Sequence, residues 1–96
     1  MTNQVTSEPR VYVVEDDDSV RRSLGRLLMA NGYAVDCLES AESMLTTLPK
    51  NATGCALLDI GLPGMDGVRL QALLATHSPA LAVIFLTGHG ELGAAV

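Results

Sequence analysis

The sequence is poor in aromatic residues and in cysteine. Its 96 residues include no tryptophan, two tyrosines and one phenylalanine, so the core must be built from aliphatic side chains. The two cysteines, Cys37 and Cys55, form no CxxC pair. This spacing argues against a disulfide framework or a metal site, and it favours small buried apolar roles for both thiols.

Basic residues are also scarce. Six Lys and Arg stand against eleven Asp and Glu, the net charge is −5, and the local basic cluster is Arg21, Arg22 and Arg26. That cluster is too small to hold a nucleic acid backbone. No apolar run approaches the roughly 18 residues of a membrane helix, and the polar start does not resemble a secretory signal. The sequence therefore predicts a single small cytoplasmic domain that binds neither nucleic acid nor membrane by itself.

Apolar runs and helical stripes alternate along the chain. Residues 1–9 are a polar lead-in, and strands are predicted at 10–15, 33–38, 55–60 and 81–87. A first helix is capped by Asp18 or Ser19, a second is capped by Ser40 and ends at Pro49, and a third runs from about Asp66 to Thr76. The inward positions of the first and third helices are Val20, Leu24, Leu27 and Leu28, then Leu70, Leu73 and Leu74. The last residues, GHGELGAAV, begin a fourth helix.

This order predicts an α/β fold. Strands that alternate with amphipathic helices imply right-handed crossovers and a parallel sheet between helix layers. The arrangement expected is the flavodoxin-like doubly wound sheet with strand order 2-1-3-4.

Polar side chains follow the predicted strands at one edge of this sheet. Glu15 and Asp16 follow the first strand, Asp59 ends the third, and Thr87 ends the fourth. Because the first and third strands are expected to be neighbours, three carboxylates would face one crevice and repel each other. A hard divalent cation relieves that repulsion, and Mg²⁺ is the one we expect.

The acids also have a structural interpretation. Asp17 and Asp18 lie at a helix N-terminus, where they cap N–H groups and interact with the helix dipole without any metal. Asp59 ends the apolar run CALLDI and has no local capping role. Beside a cation it suits a nucleophile that accepts a phosphoryl group, with the Thr87 hydroxyl either donating to that group or serving only as a strand end.

Three segments in this order and spacing resemble a known family. VYVVEDDDSVRRSL, LLDIGLPGMDG and IFLTGHGE are similar to the receiver domain of bacterial two-component response regulators, over residues 10–96. The third segment is most similar to the branch that includes the nitrogen-fixation regulators.

The resemblance implies a phosphoacceptor in a signalling protein rather than an enzyme. A sensor histidine kinase would transfer its phosphoryl group to Asp59 and thereby switch a transcriptional or other output. Mg²⁺ would be held by Asp16, Asp59 and the backbone carbonyl of Gly61, with Glu15 acting through water. Thr87 matches the family's switch hydroxyl.

The chain departs from the family at its C-terminus. It stops within the fourth helix, before the family's fifth strand, fifth helix and conserved lysine. The expectation is therefore an incomplete receiver domain that leaves Leu24, Leu27 and Leu28 uncovered. Such a chain could form a homodimer, including one that swaps elements between copies.

Other functions remain open at this point. A truncated receiver could act as a non-phosphorylated dimerisation or interaction module. A Mg²⁺-dependent phosphohydrolase is disfavoured because Gly61 stands where that class carries an acid two residues after its nucleophile. The motif GHGELG (Gly88, Gly90, Gly93) fits a dinucleotide-binding loop, but it follows the fourth strand instead of the first.

Overall fold

Strands and helices alternate through the chain as predicted. The computed structural model describes residues 10–59, 61, 65 and 67–86. In chain order the elements are β1 (Arg10–Val14), α1 (Asp18–Ala30), β2 (Ala34–Leu38), α2 (Ala41–Thr47), β3 (Gly54–Asp59), α3 (Gly67–His77) and β4 (Leu81–Leu86). Each strand lies within one residue of its predicted bounds. The predicted lead-in and fourth helix lie outside the described residues.

The strands form one parallel sheet in the order β2-β1-β3-β4. Val13 of β1 pairs with Cys37 of β2 on one side and with Leu57 of β3 on the other. β1 and β3 are thus the central pair, and β2 is an edge strand of the described sheet. The predicted α/β class and strand order are confirmed, and the carboxyl ends of β1 and β3 lie side by side.

The main core lies on the face of the sheet that α2 and α3 cover. Alternate strand residues point into it, because successive side chains of a strand face opposite sides. Its buried members are Tyr12, Val14, Ala41, Met44, Leu48, Ala52, Ala56, Leu58, Leu70, Leu74 and Leu81. Aliphatic burial of this kind fixes the sheet on which the polar strand ends stand.

Helix α1 packs on the opposite face, against β1 and β2. Gly25 is the buried residue of this helix. A Cβ built at Gly25 would lie 2.9 Å from Cys37 Sγ. Glycine at this position therefore lets the helix sit close to the edge strand.

Several details of the sequence-based prediction were wrong. Neither cysteine is buried: Cys37 is exposed on the edge strand β2, and Cys55 on the central strand β3 is half-buried. Val20 is 41% exposed and Leu73 is 40% exposed, so the apolar stripes of α1 and α3 are narrower than the helical periodicity suggested. Leu27 is 60% exposed, in agreement with the expectation that this residue is left uncovered. In α3 the buried line runs through Gly67, Leu70 and Leu74.

The cap of α1 is Asp17 instead of Asp18 or Ser19. Ser40 caps α2 as predicted, since its side chain accepts a hydrogen bond from the Ser43 N–H. Asn31 and Gly32 end α1, and Gly32 has a φ of 93°, which favours glycine. No helix among the described residues is both long and apolar enough to cross a membrane.

The contact between Gly25 and Cys37 can be tested by a double-mutant cycle. Gly25→Ala gains up to about 1 kcal/mol of helix propensity, but overpacking against the sulfur costs about 1–3 kcal/mol. We expect Gly25→Ala to destabilise the protein by about 1 kcal/mol in urea unfolding, and to stabilise it in a Cys37→Ala background. Equal effects in the two backgrounds would show that this contact does not limit the approach of α1.

Candidate metal centre at the carboxyl edge of the sheet

The centre is built from the ends of the two central strands. Val14 of β1 pairs with Leu58 of β3, so the next residues along the strands, Glu15 and Asp59, are adjacent at the same edge. Asp16 follows Glu15 in the short loop before α1. Parallel pairing alone therefore brings together carboxylates that are 43 or more residues apart in the chain.

The three carboxylates converge. Glu15, Asp16 and Asp59 each offer an oxygen that lies within 4.8 Å of the other two. Glu15 is buried, Asp59 is half-buried and Asp16 is exposed. This juxtaposition is the one that the strand order predicted.

The other two acids of the EDDD run have structural roles. Asp17 Oδ1 accepts a hydrogen bond of 3.1 Å from the Val20 N–H and caps α1. Asp18 pairs with both Arg21 and Arg22. The four consecutive acids thus divide into two that point toward Asp59 and two that serve the helix.

Glu15 is the carboxyl of the cluster whose ionisation is disfavoured. Its pKa is raised, mainly because burial penalises the charged form, and the Asp59 and Asp16 carboxyls add to the increase. The Asp17 N–H donates to Glu15 Oε2 at 3.0 Å and partly opposes that shift. Without a cation, therefore, the cluster disfavours a full set of negative charges.

Gly61 lies directly beyond Asp59. Its N–H donates to Asp59 Oδ1 at 3.3 Å, which turns the chain back toward the carboxylate. The role predicted for its carbonyl as a ligand stays a prediction. Thr87, predicted as the switch hydroxyl, lies outside the described residues, as do Gly88, Gly90 and Gly93.

The donor set could hold a metal ion. Hard divalent cations take oxygen ligands. The cluster is made of carboxylates alone, and their oxygens lie within 4.8 Å of one another, close enough to face one ion. Burial, and to a smaller extent the nearby Asp59 and Asp16 carboxyls, raise the pKa of Glu15, and a divalent cation would offset this cost of holding the charged form.

One residue of the site was missed by sequence reasoning. Arg21 was seen only as part of a basic cluster, yet its Nη1 donates to the Glu15 carbonyl at 2.9 Å. The available signal was its position, five residues after Asp16 on the first turn of an expected helix. Spacing alone does not reveal which way such a side chain turns.

The raised pKa of Glu15 predicts a pH dependence of stability in metal-free solution. The folded state holds the Glu15 proton more tightly than the unfolded chain does. This contribution to stability is therefore present below the ordinary value of 4.5 and is lost as the pH rises through the raised pKa. Glu15→Gln removes the titration, so we expect its stability relative to wild type to increase from pH 4.5 toward neutrality.

Urea unfolding at a series of pH values with EDTA checks this expectation. Asp36→Asn is the control for loss of a carboxylate elsewhere, because Asp36 is an exposed acid on β2, away from the cluster, and its ion pair with Arg10 is of the exposed kind that contributes little to stability. Wild-type and Glu15→Gln stability profiles that run parallel across the range would contradict the expectation.

Comparison with known proteins identifies the family. Residues 11–96 match the family described as "Response regulator receiver domain". The transcriptional regulatory protein FixJ of Bradyrhizobium diazoefficiens is 33% identical over 92 residues, which cover 96% of this chain and 45% of that protein. The chain thus spans less than half the length of this curated relative.

Solved structures agree with this match. The response regulator StyR superposes with a TM-score of 0.79 at 38% identity, covering 88% of this chain and 42% of that one. The response regulator TrrA of Thermotoga maritima, solved in complex with Mg²⁺–BeF, gives a TM-score of 0.76 at 25% identity, covering 90% and 75%. The acidic cluster at the ends of β1 and β3, the parallel sheet and these matches lead to one conclusion: the chain belongs to the response regulator receiver domain family.

Proposed function

We propose that this chain accepts a phosphoryl group on Asp59 from a sensor histidine kinase, in a Mg²⁺-dependent reaction. The observation that carries the proposal is the convergence of Glu15, Asp16 and Asp59 within 4.8 Å at the carboxyl edge of the sheet. Asp59 is half-buried and terminates a central strand, so the sheet holds its position in the cluster.

In the proposed reaction an Asp59 carboxylate oxygen attacks phosphorus. The bond between phosphorus and the donor histidine nitrogen breaks, an O–P bond forms, and the product is an acyl phosphate on Asp59. The histidine nitrogen leaves with the electron pair of the broken bond. Burial next to Glu15 keeps the attacking oxygen in a partly dry environment, where electrostatic interactions are strong.

Asp16, Asp59 and the Gly61 carbonyl would hold Mg²⁺, with Glu15 acting through water. Bound there, the ion would neutralise charge on the transferred group. The Mg²⁺–BeF complex of TrrA supports this choice of cation. Thr87 would hydrogen-bond the phosphoryl group and transmit the change to the loop that follows it.

The output of the signal is part of the same proposal. FixJ is named as a transcriptional regulatory protein, and this chain matches less than half of its length. We infer that residues 10–96 form the receiver unit of a regulator whose output is transcription. The expected homodimer and the cytoplasmic location stay predictions.

Intact mass spectrometry after incubation with Mg²⁺ and a small-molecule phosphodonor tests the proposed acceptor. Wild type should gain a single phosphoryl adduct, and Asp59→Asn should gain none because its amide is not nucleophilic. Asp36→Asn should label as wild type does, since its carboxylate lies on the edge strand β2. An adduct that survives Asp59→Asn would overturn the assignment.

Asp16→Ala tests the metal requirement separately. Its labelling should fall to the level of wild type in EDTA and should no longer respond to Mg²⁺, because a ligand oxygen is lost. If a folded wild-type chain gains no adduct, the alternative of a non-phosphorylated interaction module is favoured instead.

A further inference from the structure

Arg21 connects helix α1 to the loop that carries two of the three clustered acids. Its Nη1 donates to the Glu15 carbonyl at 2.9 Å and reaches the Asp16 carbonyl at 3.5 Å. Its Nη2 donates to the Asp18 carboxylate. The side chain is only 16% exposed, so these contacts are made in a partly dry environment.

These contacts hold the backbone where the acids turn into the crevice. The Glu15 N–H donates a hydrogen bond to the Leu38 carbonyl at 3.1 Å, and the Glu15 carbonyl accepts one from Arg21. Both backbone polar groups of Glu15 are therefore fixed, one by the edge strand and one by the helix. Because Asp16 is the next residue, the same contact sets the direction from which its carboxylate enters the cluster.

A guanidinium is suited to this task. Its planar fork presents several donors in fixed directions, so one side chain reaches a carbonyl and a carboxylate together. Lysine carries the same charge on a single ammonium and does not reproduce that geometry. Arg21 lies one helical turn before Gly25, where α1 sits close to β2, and its guanidinium reaches the carbonyl of Glu15 just beyond the end of β1.

Arg22 provides a comparison within the same helix. It has the same charge and also pairs with Asp18, but its side chain is 65% exposed. Within the part of the chain that the structure describes, its hydrogen bonds go to the Asp18 carboxylate and none goes to the Glu15 or Asp16 carbonyl. The two arginines therefore have the same charge, but of the two Arg21 is the one that contacts the backbone of Glu15 and Asp16.

We propose that Arg21 is a positioning residue for the metal centre: by clamping the carbonyl of Glu15 to helix α1, it presets the Glu15–Asp16 loop for a divalent cation. The proposal rests on the Mg²⁺ site proposed above. The proposal predicts the direction in which Mg²⁺ affinity changes when Arg21 is replaced. By charge alone, removal of a nearby cation tightens Mg²⁺ binding, whereas loss of a positioning contact weakens it.

Calorimetric titration with Mg²⁺, without any phosphodonor, separates these effects. We expect Arg21→Gln to weaken Mg²⁺ binding by about 10-fold, as is typical when a residue that orients metal ligands is lost. Arg22→Gln, the control of equal charge, should stay within about twofold of wild type because surface pairs contribute little. Arg21→Lys should remain weakened, since charge without the fork does not restore the contact. Unchanged or tighter binding by Arg21→Gln would overturn the proposal.

Hydrogen exchange in EDTA gives a second readout that needs no metal. The Asp17 N–H, bonded to Glu15 Oε2, should exchange faster in Arg21→Gln than in Arg22→Gln, because the loop is released only in the former. Equal exchange in the two variants would contradict positioning even if Asp59 becomes phosphorylated. Conversely, a chain that shows the exchange difference but gains no phosphoryl adduct would refute the proposed acceptor role while the clamp stands.

Discussion

The mutual repulsion of three carboxylates governs the carboxyl edge of this sheet. With oxygens of Glu15, Asp16 and Asp59 within 4.8 Å of one another, each charged pair costs about 1–3 kcal/mol, depending on how much water screens it. A small domain is stable by only about 5–15 kcal/mol, so this cost is a substantial fraction of the total. The repulsion follows from the fold, because parallel pairing of β1 with β3 places the carboxyl ends of both strands side by side.

The surrounding contacts limit that repulsion without removing it. Asp17 and Asp18 are turned toward the helix, where N–H groups and two arginines offset their charge. Arg21 brings a cation to the backbone of the loop, and the raised pKa of Glu15 shows where charge is hardest to keep. What remains is a cluster of hard oxygen ligands with unbalanced negative charge, which is the condition under which a divalent cation binds best.

Much of this was predictable from the sequence, for simple reasons. The buried strands are continuous apolar runs, and four of them separated by helical stripes leave few arrangements other than a parallel sheet. Once β1 and β3 are neighbours, Glu15 and Asp59 must meet. The cluster therefore followed from strand order and needed no knowledge of side-chain packing.

The missed features depend on how the elements dock. Val20 and Leu73 fit the helical periodicity but are exposed, whereas the buried residues are Gly25 in α1 and Gly67, Leu70 and Leu74 in α3. Cys37 is exposed because β2 forms an edge, and the capping residue shifted by one position to Asp17 because its side chain reaches the Val20 N–H. The hydrogen bond from Arg21 to the Glu15 carbonyl also depends on how α1 docks on the sheet, so the sequence pattern did not reveal it.

The most direct test of this account is the unfolding free energy of Asp59→Asn with and without Mg²⁺. Removal of one of three repelling charges should stabilise the metal-free protein by about 1 kcal/mol or more. The same change should abolish the additional stability that Mg²⁺ confers on wild type, because a ligand is lost. A variant that is less stable than wild type in EDTA, or that gains as much from Mg²⁺ as wild type does, would contradict the claim that these carboxylates form a strained metal centre.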